Sequence, residues 1–163
     1  MSKIVNVKFA GLGGQGILTC TDILGRMVFD HGYDVKKAEV HGMSQRGGAI
    51  TSDIRYGNKV LSPMIPTGEA DYLVVLTEDQ VSVNQHQLKE GGVLVVPSDF
   101  PADQLEHKRT LNVALLGALS KHMDFPAEYW LDAIRKQLAE RFHELNEKAF
   151  YLGRGDAAQP RKS

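Results

Sequence analysis

The sequence predicts one α/β domain with a mostly parallel sheet flanked by helices and an antiparallel hairpin. Three observations predict it. Short apolar runs at residues 4–9, 72–77 and 93–96 have the length of buried strands; the first runs into glycines and the last lies between Gly92 and Pro97. Helical periodicities lie between and after them, and strands alternating with helices build α/β sheets. The chain has 163 residues, which suits one domain by the usual ~100–200 residues.

Each element follows from local pattern. Ile4, Val5, Val7 and Phe9 form a first strand that runs into Gly11-Leu12-Gly13-Gly14-Gln15-Gly16. Ile17, Leu18, Thr21, Leu24 and Val28 then recur at helical spacing, and Gly32 stands where a helix stops. Gly25, inside that helix, permits close packing on the sheet. A second strand is expected over residues 33–40, followed by a glycine-rich polar loop at 42–48. Residues 49–56 and 58–61 read as a hairpin turning at Gly57-Asn58. Pro63 and Pro66 stiffen the next connection. Residues 79–90 read as a polar helix, and Gly91-Gly92 turns the chain into the strand at 93–96. Residues 111–122 form an apolar helix, and Pro126 opens another. On that helix Trp130, Ile134, Leu138 and Phe142 share a face at steps of four. A break near Arg141 precedes a last helical stretch at 145–150. The domain is expected over residues 1–153, with a fraying tail at 154–163.

Composition excludes several function classes. Nineteen Lys and Arg against twenty Asp and Glu leave a net charge of −1, which disfavours nucleic acid and a polybasic membrane anchor. No apolar stretch approaches the ~18 residues of a membrane span, and no signal peptide is visible, so a cytoplasmic location is expected. The single cysteine, Cys20, cannot hold a four-cysteine iron–sulfur cluster or form a CxxC redox pair. It reads as a small core residue, as Trp130 and Phe142 read as core anchors. His86, His107, His122 and His143 show no metal-ligand spacing. Asn112 reads as a cap or turn residue at the start of its helix.

Two segments carry chemistry. Gly11, Gly13 and Gly16 satisfy GxGxxG directly between a strand and a helix, the Rossmann-like place for a tight turn and close approach to a ligand. Glu39, near the end of the second strand, occupies the place of a ribose-binding acid. A free-standing NAD-binding module or dehydrogenase is therefore one reading; a tight turn that binds nothing is another. Gln15 is unusual for a dinucleotide fingerprint, and little chain is left for a substrate domain. The second segment gathers Glu39, His41, Gly42, Ser44, Gln45, Arg46, Gly47 and Gly48. A second strand parallel to the first would start this loop at the same sheet edge as GLGGQG, where ligands and partners meet such sheets. His41 can move protons near neutral pH, and Arg46 offers a planar fork to a carboxylate or phosphate. A polar surface loop with turn glycines is the bland alternative.

The two segments together, GLGGQG and EVHGMSQRGG, resemble the γ-type subunit or domain of the 2-oxoacid:ferredoxin oxidoreductase family, most closely the indolepyruvate type. The resemblance extends through LSPMIPTGEADYLVVL, NVALLGALSK and NEKAFYLG, and so covers nearly the whole chain to Gly153. It implies an enzyme complex that oxidatively decarboxylates a 2-oxoacid, transfers the acyl group to coenzyme A and reduces ferredoxin. It implies that thiamine diphosphate, magnesium and the iron–sulfur clusters belong to large catalytic partner subunits, with no cofactor held by this chain. It implies an accessory subunit that completes the oligomer and the substrate or coenzyme A entrance. Because the carbanion left by decarboxylation must be shielded from water, Gly11, Gly13, Gly14 and Gly16 with Gln15 are expected to form one wall. His41, Ser44, Gln45 and Arg46 would form another, with His41 and Arg46 as the catalytic candidates.

Overall fold

In a computed structural model, residues 3–41 and 48–156 are described. The tail from residue 157 onward, and Gly42, Ser44, Gln45, Arg46 and Gly47 of the second loop, lie outside them. The sheet has five strands: β1 (Val5–Leu12), β2 (Asp34–His41), β3 (Ala49–Gly57), β4 (Ala70–Val75) and β5 (Leu88–Val95). Their spatial order is β2-β3-β1-β4-β5. Strand β1 pairs parallel to β4 and antiparallel to β3, β3 pairs antiparallel to β2, and β4 pairs parallel to β5. Four strands thus run one way and β3 alone runs back.

The hairpin is real but differently placed. The antiparallel partners of β3 are β2 and β1, and residues 58–61 form no strand. Strand β3 continues through Gly57, which closes on β1: a Cβ there would stand 3.0 Å from the Lys3 carbonyl. Charges then carry the segment after it across the sheet. Arg55 donates to the carbonyls of Ser62 (2.8 Å) and Met64 (3.3 Å), Asp53 Oδ2 accepts from Ile65 N (2.9 Å), and Asp34 accepts from Val60 N (2.8 Å).

The helix expected at 79–90 is also corrected. That stretch holds two 3-10 turns around the four-residue α2 (Val81–Asn84), and β5 has already begun at Leu88. The polar run has too few apolar residues to bury a helical face, so it breaks into turns. Gly91, in the left-handed region at φ 80°, lies inside β5 where the pairing slips, from Ala70 opposite Leu88 to Tyr72 opposite Val93.

The main core lies on one sheet face. It packs Val7, Phe9, Ile54 and Val74 against α1 (Ile17–Asp30), α3 (Leu111–Ser120), α4 (Ala127–Gln137) and α5 (His143–Arg154). α3 is apolar all round because it is buried all round, between the sheet and α5. Trp130 is fully buried as expected. Phe142 is not a core anchor: α4 ends at Gln137, a 3-10 turn follows, and the ring is 43% exposed beneath the Arg141 guanidinium. The opposite face carries a smaller cluster of Ala10, Leu73, Val75 and Val96 beside a buried Lys8–Asp53 pair.

Candidate functional site: two glycine segments at one sheet edge

Strands β1 and β2 end at the same edge, because β3 between them reverses direction. The register places Gly11 opposite Ile50 and Ile50 opposite His41, one row across three strands. A direct bond joins the two segments: Gly13 N donates to the Gly48 carbonyl at 3.1 Å. The edge that the second loop was expected to share with the first is therefore built.

The glycine turn has a defined shape. Gly14 and Gly16 take the left-handed region, with φ of 87° and 80°. Gly16 caps α1 without any side chain, and Gly13 and Gly14 are exposed. Gln15 folds back into the turn, where its Oε1 accepts from Leu12 N at 2.8 Å and from the Thr77 hydroxyl at 2.7 Å. That oxygen stands 2.6 Å from where a Cβ on Gly11 would be, so glycine at 11 makes room for the glutamine. On the other side Asn112 Nδ2 donates to the Gly16 carbonyl at 3.2 Å and fills the space of a Gly16 Cβ.

This geometry argues against a dinucleotide cradle. The interior of the turn, and the Leu12 amide, are taken by the chain's own glutamine. Glu39 is not next to β1 either: β3 intervenes, so the acid lies two strand spacings away, about 10 Å. Glu39 instead sits 3.5 Å from His41 Nε2, two residues along the same face, and both are exposed. His41 thus stands at the shared edge, in the same row as Gly11 with Ile50 of β3 between them.

A groove elsewhere on the surface, of about 430 Å³ and lined by Asp22, Gly25, Arg26, Phe29, Val35, Lys37 and Gln137, is remote from this edge in the sheet's layout. Cys20 is buried under α3, donating to the Asn112 carbonyl at 3.3 Å, and burial pushes its thiol pKa far above the ordinary value. Among the described residues no cluster of His, Cys, Asp or Glu could hold a metal, and no helix is long and apolar enough to cross a membrane.

Two residues of this site escaped the sequence reading. Thr77 looked like the end of a strand, and Asn112 like a simple cap. Asn112 does serve α3, since its Oδ1 accepts from Val113 N at 2.9 Å, but its amide also holds Gly16, 96 positions away. The available signal was Gln15, a polar side chain with no role in a phosphate turn and therefore in need of a partner.

Comparison with known proteins agrees with this architecture. Residues 6–155 match the model of the family described as pyruvate ferredoxin/flavodoxin oxidoreductase. The chain is 32% identical to the indolepyruvate oxidoreductase subunit IorB of Pyrococcus horikoshii, covering 93% of this chain and 95% of that one. It is 30% identical to the pyruvate/ketoisovalerate oxidoreductases common subunit gamma of Thermococcus kodakarensis, over 90% of this chain and 93% of the relative. In fold it resembles the gamma subunit of a keto/oxoacid ferredoxin oxidoreductase from Geobacter sulfurreducens, with a TM-score of 0.75, 24% identity, and coverage of 93% and 94%. It also resembles part of the 2-oxoglutarate:ferredoxin oxidoreductase of Magnetococcus marinus, with a TM-score of 0.80 and 18% identity, spanning 94% of this chain and 31% of that one. The chain therefore belongs to the pyruvate ferredoxin/flavodoxin oxidoreductase family, among the small subunits of its 2-oxoacid-oxidising complexes.

Proposed function

We propose that this chain is the small, cluster-free subunit of a thiamine diphosphate-dependent oxidoreductase that acts on indolepyruvate and related aryl pyruvates. The complex would convert 2-oxoacid, coenzyme A and oxidised ferredoxin into acyl-CoA, carbon dioxide and reduced ferredoxin. Thiamine diphosphate, magnesium and the clusters would reside in a large partner subunit, in the cytoplasm. The observation that carries the substrate class is the 32% identity, over nearly all of both chains, to a subunit named for indolepyruvate.

The chain's own contribution would be the edge where Gly11–Gly16 and the second segment meet. Decarboxylation of a 2-oxoacid leaves a carbanion equivalent that water would protonate before its electrons depart. A rigid wall supplied by a neighbouring subunit excludes that water. The braced glycine turn supports such a role, because its shape is held by internal bonds rather than by a ligand. His41 and Arg46 are the residues proposed to face the substrate, coenzyme A or the catalytic subunit.

The test is to co-purify the chain with its native partner. Viologen reduction is then assayed with aryl pyruvates, pyruvate and 2-oxoglutarate, each with coenzyme A. Aryl pyruvates should give the highest kcat/KM. A preference for 2-oxoglutarate or pyruvate would move the substrate class, and failure to retain a thiamine-containing partner would remove the mechanism.

A further inference from the structure

Thr77 is placed where its hydroxyl would ordinarily cap a turn. It precedes the 3-10 turn Glu78–Gln80 in extended conformation, yet its side chain makes no capping bond. The hydroxyl points the other way, to Gln15 Oε1 at 2.7 Å, across 62 residues of sequence. The same oxygen accepts from Leu12 N, so one acceptor ties the start of the glycine turn to the end of β4. Leu76 N donates to the Ala10 carbonyl at 2.9 Å just before it, so the β1–β4 ladder leads straight into this brace.

Asn112 holds the other end of the turn. It is 7% exposed, and its two side-chain polar atoms and its carbonyl are all engaged: Nδ2 with Gly16 O, Oδ1 with Val113 N, and the carbonyl with the Cys20 thiol. Between the two braces lie Gly13 and Gly14, exposed and without side chains. A glycine-rich turn has more backbone freedom to lose than any other, and left unbraced it would sample many shapes.

We propose that Thr77 and Asn112 are positioning residues that hold the Gly13–Gly14 backbone in one presentation toward the catalytic subunit. This rests on the reading of that edge as an active-site entrance. Neither residue needs to touch substrate. Each acts through the turn, and a misplacement of about 1 Å at a reaction site can cost up to roughly a hundredfold in rate.

Three variants of the assembled complex test it. Thr77→Val keeps the shape and removes the donor, while Thr77→Ser keeps the donor. Asn112→Asp keeps the acceptor for Val113 N and loses the donor to Gly16. Its added charge lies at the start of α3, where a negative group favours the helix, so α3 itself should survive. Amide hydrogen exchange over residues 11–16 is measured beside kcat and KM for the 2-oxoacid with coenzyme A.

Thr77→Val and Asn112→Asp should speed exchange in the turn and lower kcat about tenfold with KM little changed. Thr77→Ser should stay within about twofold of the parent in both measurements. Unchanged exchange in Thr77→Val and Asn112→Asp overturns the brace, whatever the edge does. A serine variant as slow as the valine one overturns it too. Faster exchange with unchanged turnover overturns the positioning role alone; the entrance reading fails separately, when the parent complex retains no thiamine-containing partner.

Discussion

The Gly13 amide donates to the Gly48 carbonyl at 3.1 Å, and this bond joins two segments that lie 35 positions apart in the chain. It fastens the glycine turn to the residue just before β3. His41 and Gly48 bracket the rest of the second segment, and both stand at this edge.

Arg46→Ala, in the intact complex, should slow turnover or raise the apparent constant for the 2-oxoacid or coenzyme A by roughly tenfold to a hundredfold. That is the range for a lost hydrogen bond to a charged group, about 1.5–3 kcal/mol. Steady-state kinetics after size-exclusion separates the roles. An unchanged rate removes Arg46 from ligand binding, and loss of assembly assigns it to the interface.

Gly153 in α5 lies against the Ala114 carbonyl of α3, and Gly117 in α3 lies against the Phe150 carbonyl of α5. A Cβ at either place would overlap backbone, which cannot swing aside as a side chain can. Gly153→Ala should therefore destabilise the fold by about 2 kcal/mol or more, despite alanine's better helix propensity. Urea unfolding reads this out directly; a stabilised variant would mean that the helices separate at little cost.

Stability should fall at alkaline pH. Burial raises the pKa of the Cys20 thiol and the Tyr56 phenol above their ordinary values of 9.0 and 10.0, with neighbouring Tyr72, Tyr33 and Asp71 adding to the shift at Tyr56. Both stay protonated in the folded chain and ionise more readily once it unfolds. Their contribution is complete below the unfolded values and is lost as pH rises above them. Each group contributes a slope of about 1.4 kcal/mol per pH unit there. Tyr56→Phe keeps the ring against Tyr33 and Phe125 and should flatten the upper part of that decline in melts from pH 8 to 11. An identical pH profile would contradict the burial argument for Tyr56.

Lys8 and Asp53 approach to 2.6 Å on the second sheet face, both nearly inaccessible. The contact is one of charge more than of alignment, since Asp53 Oδ1 has no directional hydrogen bond while Oδ2 holds Ile65 N. Lys8→Met leaves that carboxylate buried without its cation and should cost about 3–5 kcal/mol. Adding Asp53→Asn should recover part of the loss, which a double-mutant cycle measures. A single variant as stable as the parent would show that water reaches the site.

Periodicity and punctuation in the sequence determined most of the elements. The apolar runs became β1, β4 and β5, helical spacing marked α1, α3 and α4, and Gly32 closes α1 in the left-handed region as expected. The single cysteine limited what the chain could carry, and the paired motifs GLGGQG and EVHGMSQRGG pointed to the family. Those signals are local, set by side-chain volume, backbone freedom and spacing along the chain. Tertiary structure decided the rest. Which strand β3 pairs with depends on register between distant segments, so the hairpin misplaced at Gly57-Asn58 could be corrected only in three dimensions. The same holds for Phe142, whose face changed when α4 stopped at Gln137. It holds most for Gln15, Thr77 and Asn112: hydrogen bonds across 62 and 96 positions leave no period in a sequence, yet they shape the glycine turn at the end of β1.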